Sequence, residues 1–430
     1  MLTDRRTILS TRMPIFTRSN PEPPRDDRSA PDQQIARLAE LRLVHETMAW
    51  FRRNEHRIAE WQLAVTAIPA APFGEEQRSR WMRDRFEEIG LLEVHRDELG
   101  NVFGTRPGTD PETKFLAISA HMDTVFPAGT PLDVRREGER LRGPGICDNG
   151  AGLVALLALA AALHETGIQH RHPIVFIGNV GEEGEGDLRG MRHIFSQQRW
   201  RESIERVLVL DGAGIDSIIA EGLGSRRFEV TVEGPGGHSW SDFGVPNPIV
   251  ALGRAIEHFS RTPLPDSPKT TFNIGVISGG TSVNSIPQSA FMRVDLRSSA
   301  AEEIDRLESA LRAAIEDAVE ETRATVRGRA PLRYEIRMVG NRPSADLPAN
   351  SPLMQTVRAV DAHLGIRAKV NRASTDANIP LSLGIEALAI GGGGSGGGAH
   401  TLHEWFEPAA RDLALKRILL TTLALTGVPE

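Results

Sequence analysis

Residues 178–190 read GNVGEEGEGDLRG and place Glu182, Glu183, Glu185 and Asp187 directly after the apolar run 173–177, PIVFI. An apolar run of this length that breaks into glycine-rich chain reads as a buried strand ending at a sheet edge. Carboxylates stacked there repel one another, so the segment is either a solvated acidic turn or part of a cation site. A cation site needs further ligands, and the chain offers them. The run LAISAHMD, 116–123, ends in His121 and Asp123, which lie on one face of an extended chain. An imidazole can bind metal while a carboxylate behind it holds the ring and raises its basicity, although a lone HxD is also an ordinary polar strand end. In GPGICDNGAG, 143–152, Asp148 and Asn149 precede an apolar helix. Asp148 there either caps the helix or bridges two metal ions, and the glycines let backbone come close. The strand-like RVLVLDG, 206–212, ends in Asp211, and GGGGSGGGAHTLHEWF, 391–406, presents His400 and His403.

Three strand ends and one helix start thus deliver His121, Asp148, Glu183 and Asp211 to one edge of a sheet. Carboxylates converging there without cations are unfavourable unless protonated or metal-bound. The glycine run has the composition of a flexible linker. Its place between the apolar stretch 387–390 and His400 points instead to close approach of backbone to a ligand. It is no phosphate loop, because no GK[ST] follows.

The elements that must carry these residues are legible in outline. From 34 to 221 helical stretches around 35–61 and 76–89 alternate with strand-like runs at 114–119, 174–177 and 206–210. Short apolar runs between helices imply an α/β fold with a mostly parallel sheet covered on both faces, and ligands at the carboxyl ends of its strands. The pattern then changes to strands at 226–233, 271–277, 290–296 and 334–339 with helices at 248–259 and 301–322, in the order βαββαβ. Alpha/beta patterning returns at 354–364, 387–390 and 408–426. The expected organisation is a mobile N-terminal extension, 1–35, a catalytic domain made of 36–222 and 341–430, and an inserted domain, 223–340.

Composition excludes some classes. The chain of 430 residues is long enough for two domains, and its net charge of −7 argues against a general nucleic-acid binder. The single cysteine, Cys147, rules out an intrachain disulfide and suits a reducing, cytoplasmic compartment. The apolar stretch 153–163 is far shorter than the ~20 residues that span a bilayer, so it reads as a buried helix and no membrane partner is expected. Arg5 and Arg6 suggest a twin-arginine signal, but Arg12 interrupts the apolar region that such a signal needs.

Taken in order, HMD, CDNGAG, GEEGEGDLRG, LDG, GPGGHSW and AHTLHEW resemble the M20 family of zinc peptidases and deacylases over most of the chain from about residue 40. The resemblance implies a zinc-hydrolase domain carrying an inserted ferredoxin-like dimerisation or lid domain. It also implies two Zn2+ per subunit, with Co2+ or Mn2+ as substitutes: one held by His121 and Asp211, the other by Glu183 and His400, with Asp148 bridging. Asp123 would orient His121, and Glu182 would be the general base. His238, reaching over from the partner subunit of a homodimer, would stabilise the oxyanion. Asn284 in TSVNSIP and Arg297 in VDLRS fall at substrate-binding positions, although a strand-edge ion pair is an equal reading of Arg297. Thr375 and Asp376 match a family segment near the substrate without a role that chemistry assigns. Glu404 is expected to hold its loop through backbone hydrogen bonds, and Cys147 to pack beneath the site.

Aspartate at position 211 tilts the expectation towards a peptidase similar to the tripeptide aminopeptidases. The alternative is an N-acyl amino acid deacylase, so the expected partner is a small peptide or an N-acyl amino acid. A non-catalytic metal-binding protein of the same fold is the reading from a different class, and the presence of Glu182 and every ligand position argues against it.

Overall fold

The computed structural model describes residues 29–110, 112–325 and 331–429. Most of the expected extension, 1–35, lies outside these residues. Within the described residues the Ser29 hydroxyl accepts from the Asp32 amide and caps the helix Ala30–Glu40, so residues 30–35 of that stretch are helical.

Four strands form the middle of the large sheet: Phe115–His121, Ile174–Asn179, Ile204–Leu210 and Glu386–Ile390. They are parallel neighbours in the order 174–179, 115–121, 204–210, 386–390. The first of these four in the chain therefore lies between the second and third: the crossover that leaves it runs one way, and the next, from 174–179, runs back past it the other way. The carboxyl end of such a strand opens into a crevice where the connections diverge. His121 is the last residue of that strand. All four strands are almost wholly buried, as the apolar runs predict for a parallel sheet.

The crossover from 115–121 to 174–179 contains the helix Gly150–Thr166, whose residues from Gly150 to Leu163 are all buried. It is apolar on every side because other elements surround it. No helix among the described residues is long and apolar enough to cross a membrane. The stretch expected as helical around 35–61 is three helices, Ala30–Glu40, Arg42–Arg53 and Glu55–Thr66, broken where Leu41 turns extended and where Asn54 leaves helical geometry. The antiparallel pair Leu92–Arg96 and Val102–Arg106 extends the sheet edge and was not visible in the apolar pattern, since 92–96 (LEVHR) is largely solvent-facing.

The glycine run is folded. Ser395–Gly397 pairs with Trp405–Glu407, which pairs with Arg140–Arg142 in a small separate sheet. A Cβ on Gly392 would lie 2.6 Å from the Ala151 carbonyl oxygen, and one on Gly396 would lie 2.3 Å from Cys147 Sγ. The close approach expected of these glycines is thus to the protein's own backbone and core.

Between the two parts of the large sheet, Gly224–Glu233, Thr270–Gly279, Ser289–Ser298 and Arg333–Arg342 form a four-stranded antiparallel sheet. Its order is 270–279, 289–298, 224–233, 333–342, and with the helices Pro248–Ser260 and Ala301–Ala324 it gives the expected βαββαβ arrangement. Phe228, Phe259, Leu307 and Ile315 belong to a core of its own.

Candidate metal centre

His121 is buried at its strand end, with Nε2 3.2 Å from Asp148 Oδ1 and 3.6 Å from Asp211 Oδ1. His400, on the loop after the glycine run, places Nε2 3.0 Å from Asp148 Oδ2 and 3.1 Å from Glu183 Oε1. Asp148 thus faces one imidazole with each oxygen. The donors fall into two groups that share it: His121 and Asp211 on one side, Glu183 and His400 on the other. His121, Asp148 and Glu183 each offer a ligand atom within 4.8 Å of the others.

These positions have local causes. The capping role falls to Asn149 and not to Asp148: the Asn149 Oδ1 accepts from the amides of Gly152 and Gly212, both at 3.0 Å, and its Nδ2 donates to the Leu210 carbonyl at 2.9 Å. One side chain therefore starts the buried helix and ties down the strand end that carries Asp211. Glu404 accepts from the amides of Gly145, Cys147 and Asp148 at 2.7–2.8 Å, which is the loop-holding job expected of it. The Cys147 thiol is buried and pushed up to about 12, chiefly by burial, so it stays protonated.

Asp123 stands between the His121 ring and the acidic loop. Its carboxylate lies 3.6 Å from His121 Nδ1, which is closer, at 3.1 Å, to the Asp123 backbone carbonyl. The two carboxylate oxygens accept from the amides of Glu182 and Glu183 at 2.9 and 2.7 Å, so Asp123 holds the acidic loop against the histidine strand. Glu183 is extended, and the side chains of the two glutamates diverge. Glu183 meets His400, whereas Glu182 is buried against Arg342 Nη1 at 3.1 Å.

The electrostatics are those of a site short of positive charge. Burial, reinforced by the repulsion of Asp148, raises Glu183 to about 7. Burial also raises Glu182 well above the carboxylate range, although Arg342 opposes this, and lifts Asp376 to about 7. The contact with Asp148 raises His400 to about 9. Burial alone would raise Asp148, yet His121 and His400 hold it far below normal. Asp148 Oδ1 is buried, and its near neighbour His121 Nε2, at 3.2 Å, is not aligned to donate a hydrogen bond to it. Cations held among these donors would satisfy that oxygen and favour ionised carboxylates, so the residues fit a metal site.

Three of the expected site residues are elsewhere. His238 and Asn284 lie together at a corner of the four-stranded unit, joined by a hydrogen bond from the Ser239 amide to the Asn284 carbonyl, and both are exposed. Arg297 Nε donates to Asp295 Oδ2 at 2.6 Å, the ion-pair alternative for that residue. Among the described residues none of the three makes a hydrogen bond or ion pair with the metal-ligand cluster. Conversely, sequence reasoning gave no part to Arg342 or to Asn149's tether. It left Asp376 without a role; here Asp376 is buried and accepts from Asn179 Nδ2 at 2.7 Å.

Comparison with known proteins follows the same lines. The model of peptidase family M20/M25/M40 matches residues 117–424. An N-carbamoyl-L-amino-acid amidohydrolase of Paenarthrobacter aurescens is 38% identical over 104 residues, which is 24% of this chain and 21% of that protein. The uncharacterized protein YqjE of Bacillus subtilis is 24% identical over 357 residues, 79% of this chain and 91% of its own. The crystal structure of aminopeptidase PepT from Bacillus cereus superposes with a TM-score of 0.68 at 20% identity, covering 87% of this chain and 99% of that one, and so shares the fold.

Proposed function

The chain belongs to peptidase family M20/M25/M40, whose members act on C–N bonds, and from that premise we propose that it hydrolyses an amide bond of a small peptide, in the manner of an aminopeptidase, at a dinuclear zinc site. The observation that carries this reading is Asp148 with one imidazole on each oxygen. His121, Asp211 and Asp148 would hold one metal, and Glu183, His400 and Asp148 the other, with Co2+ or Mn2+ as substitutes. When bound, the metals supply Lewis acidity and positive charge at the reacting carbonyl. Glu182, beside the ligands but turned away from them, takes the proton of the attacking water and returns it to the leaving nitrogen. Asp123 keeps Glu182 and Glu183 in register through their amides.

The unit spanning 223–340 is the inserted domain in this reading, and a second copy covers its exposed edge. The edge strand Thr270–Gly279 leaves Val276 and Ile277 exposed, and Trp240, Phe243 and Val283 also face solvent on this unit. In the dimer His238 serves the neighbouring subunit's oxyanion, while Asn284 and Arg297 contact substrate. A second reading, an N-acyl amino acid deacylase, is favoured by the amidohydrolase similarity.

One experiment tests both the reading and its rival. Trialanine, its N-acetylated form, its C-terminal amide and N-acetylalanine are incubated with the enzyme, with and without chelator, and products are detected by mass spectrometry. Cleavage that needs the free amino terminus and stops with chelator is expected. Preference for the acylated compounds selects the deacylase, and cleavage that chelator leaves untouched rejects both readings. In parallel, Glu182→Gln is expected to keep its metal while turnover falls about 10²–10⁴-fold, the range of a lost general base. Near-parental turnover removes Glu182 from that role.

A further inference from the structure

Arg342 is the last residue of the strand Arg333–Arg342, where the chain leaves the four-stranded unit, and it is buried. Its guanidinium grips both ends of one residue: Nη1 donates to Glu182 Oε1 at 3.1 Å and Nη2 to the Glu182 carbonyl oxygen. Nη1 also donates to Ser374 Oγ at 3.1 Å, and Nε lies 3.8 Å from Asp187 Oδ1. The same strand end holds the rest of the acidic loop. The Asn341 amide donates to both carboxylate oxygens of Asp187, at 3.1 and 3.0 Å, and the Asn341 carbonyl accepts from Arg192 at 2.7 Å. From the neighbouring strand Arg227 Nη1 donates to the Gly184 carbonyl at 2.8 Å.

Three χ angles separate the Glu182 backbone from its carboxylate oxygens, so holding the backbone does not by itself fix the carboxylate. Asp123 holds the amide, and among the described residues it is Arg342 whose hydrogen bond reaches the carboxylate. A planar fork with several donors can span a carbonyl and a carboxylate together, which a single ammonium cannot. We propose that Arg342 is a positioning residue that aims the Glu182 carboxylate at the attacking water, so that the last strand of the four-stranded unit sets the geometry of the base. The inference rests on the reading of Glu182 as that base.

The test is a set of steady-state measurements on metal-loaded full-length Arg342→Ala and Arg342→Lys, using the best substrate from the panel above and its form with the carboxylate blocked as an amide. Bound metal per chain and thermal melting are measured alongside. The expected result is parental metal content, kcat lower by about 10- to 100-fold in both variants, and KM within about twofold on both substrates, since an interaction with the base acts on turnover and not on substrate affinity. Parental kcat in the lysine variant overturns the proposal, because charge alone would then suffice. A KM rise confined to the free-carboxylate substrate also overturns it and makes Arg342 a substrate-binding residue, and loss of metal makes it a structural one. If Arg342→Ala does not fold, the lysine variant decides alone. Glu182→Gln assayed in the same series separates the two ideas: an active Glu182→Gln rejects the base, whereas an inactive Glu182→Gln beside fully active Arg342 variants rejects only the positioning role.

Discussion

Asp148 can face two imidazoles because its neighbour takes the duty that a carboxylate at a helix start ordinarily performs. Asn149 fills the capping position with a neutral amide that both accepts and donates, and so reaches the helix start, the Gly212 amide and the Leu210 carbonyl together. Replacing it with alanine removes all three contacts and leaves buried donors unpaired. Asn149→Ala is therefore expected to lower stability by about 1–3 kcal/mol in thermal or denaturant unfolding of the metal-free protein. Because the same amide tethers the strand end bearing Asp211, metal affinity measured by competition with a chelator should fall as well. Reduced stability with parental metal affinity would show that the cap and the ligand are independent. His121 and Asp211 were legible as candidate ligands because each closes an apolar run, and Asp148 because it precedes an apolar helix, whereas the parts proposed for Glu183 and His400 came from the family resemblance. Arg342 was not, since it meets Glu182 across 160 residues and no local pattern marks such a pair.

At the scale of elements, hydrophobic periodicity located the parallel strands and both helices of the four-stranded unit to within a few residues. It failed where polarity or composition misleads: the solvent-facing strand Leu92–Arg96, and the glycine run that resembles a linker yet forms a strand. The two environments of glycine in this chain predict opposite effects of one substitution. At Gly392 a Cβ would lie 2.6 Å from the Ala151 carbonyl, in the first turn of the buried helix, and the backbone must shift to admit it. Gly253 sits exposed inside Pro248–Ser260 with nothing near the position of a Cβ. Gly392→Ala is expected to lower stability by about 1–3 kcal/mol. Gly253→Ala should raise it by about 0.5–1 kcal/mol through helix propensity alone. A melting series on the two variants checks the signs, and a neutral Gly392→Ala would mean that the run is looser than its packing indicates.

At the scale of the whole molecule the role proposed for His238 depends on which subunit it serves, because it stands with Asn284 at a corner of the four-stranded unit and, among the described residues, makes no hydrogen bond or ion pair with the cluster around Asp148. If it serves its own site, the unit must swing towards the cluster; if it serves a second subunit, the exposed edge strand and the apolar residues around Trp240 are where that subunit sits. Mixing two inactive variants distinguishes these. In a heterodimer of Glu182→Gln and His238→Ala, a site completed across the interface receives an intact Glu182 from one chain and an intact His238 from the other. The second site of that heterodimer lacks both. Refolding the variants together in equal amounts makes half of the dimers mixed, each with one competent site of two, so about a quarter of the parental activity is expected to return. Completion within one chain predicts no recovery at any mixing ratio, since every site then lacks one of the two residues. Sedimentation of the same mixture supplies the control: recovery must track the dimer fraction, and a monomer at micromolar concentration rejects the shared site.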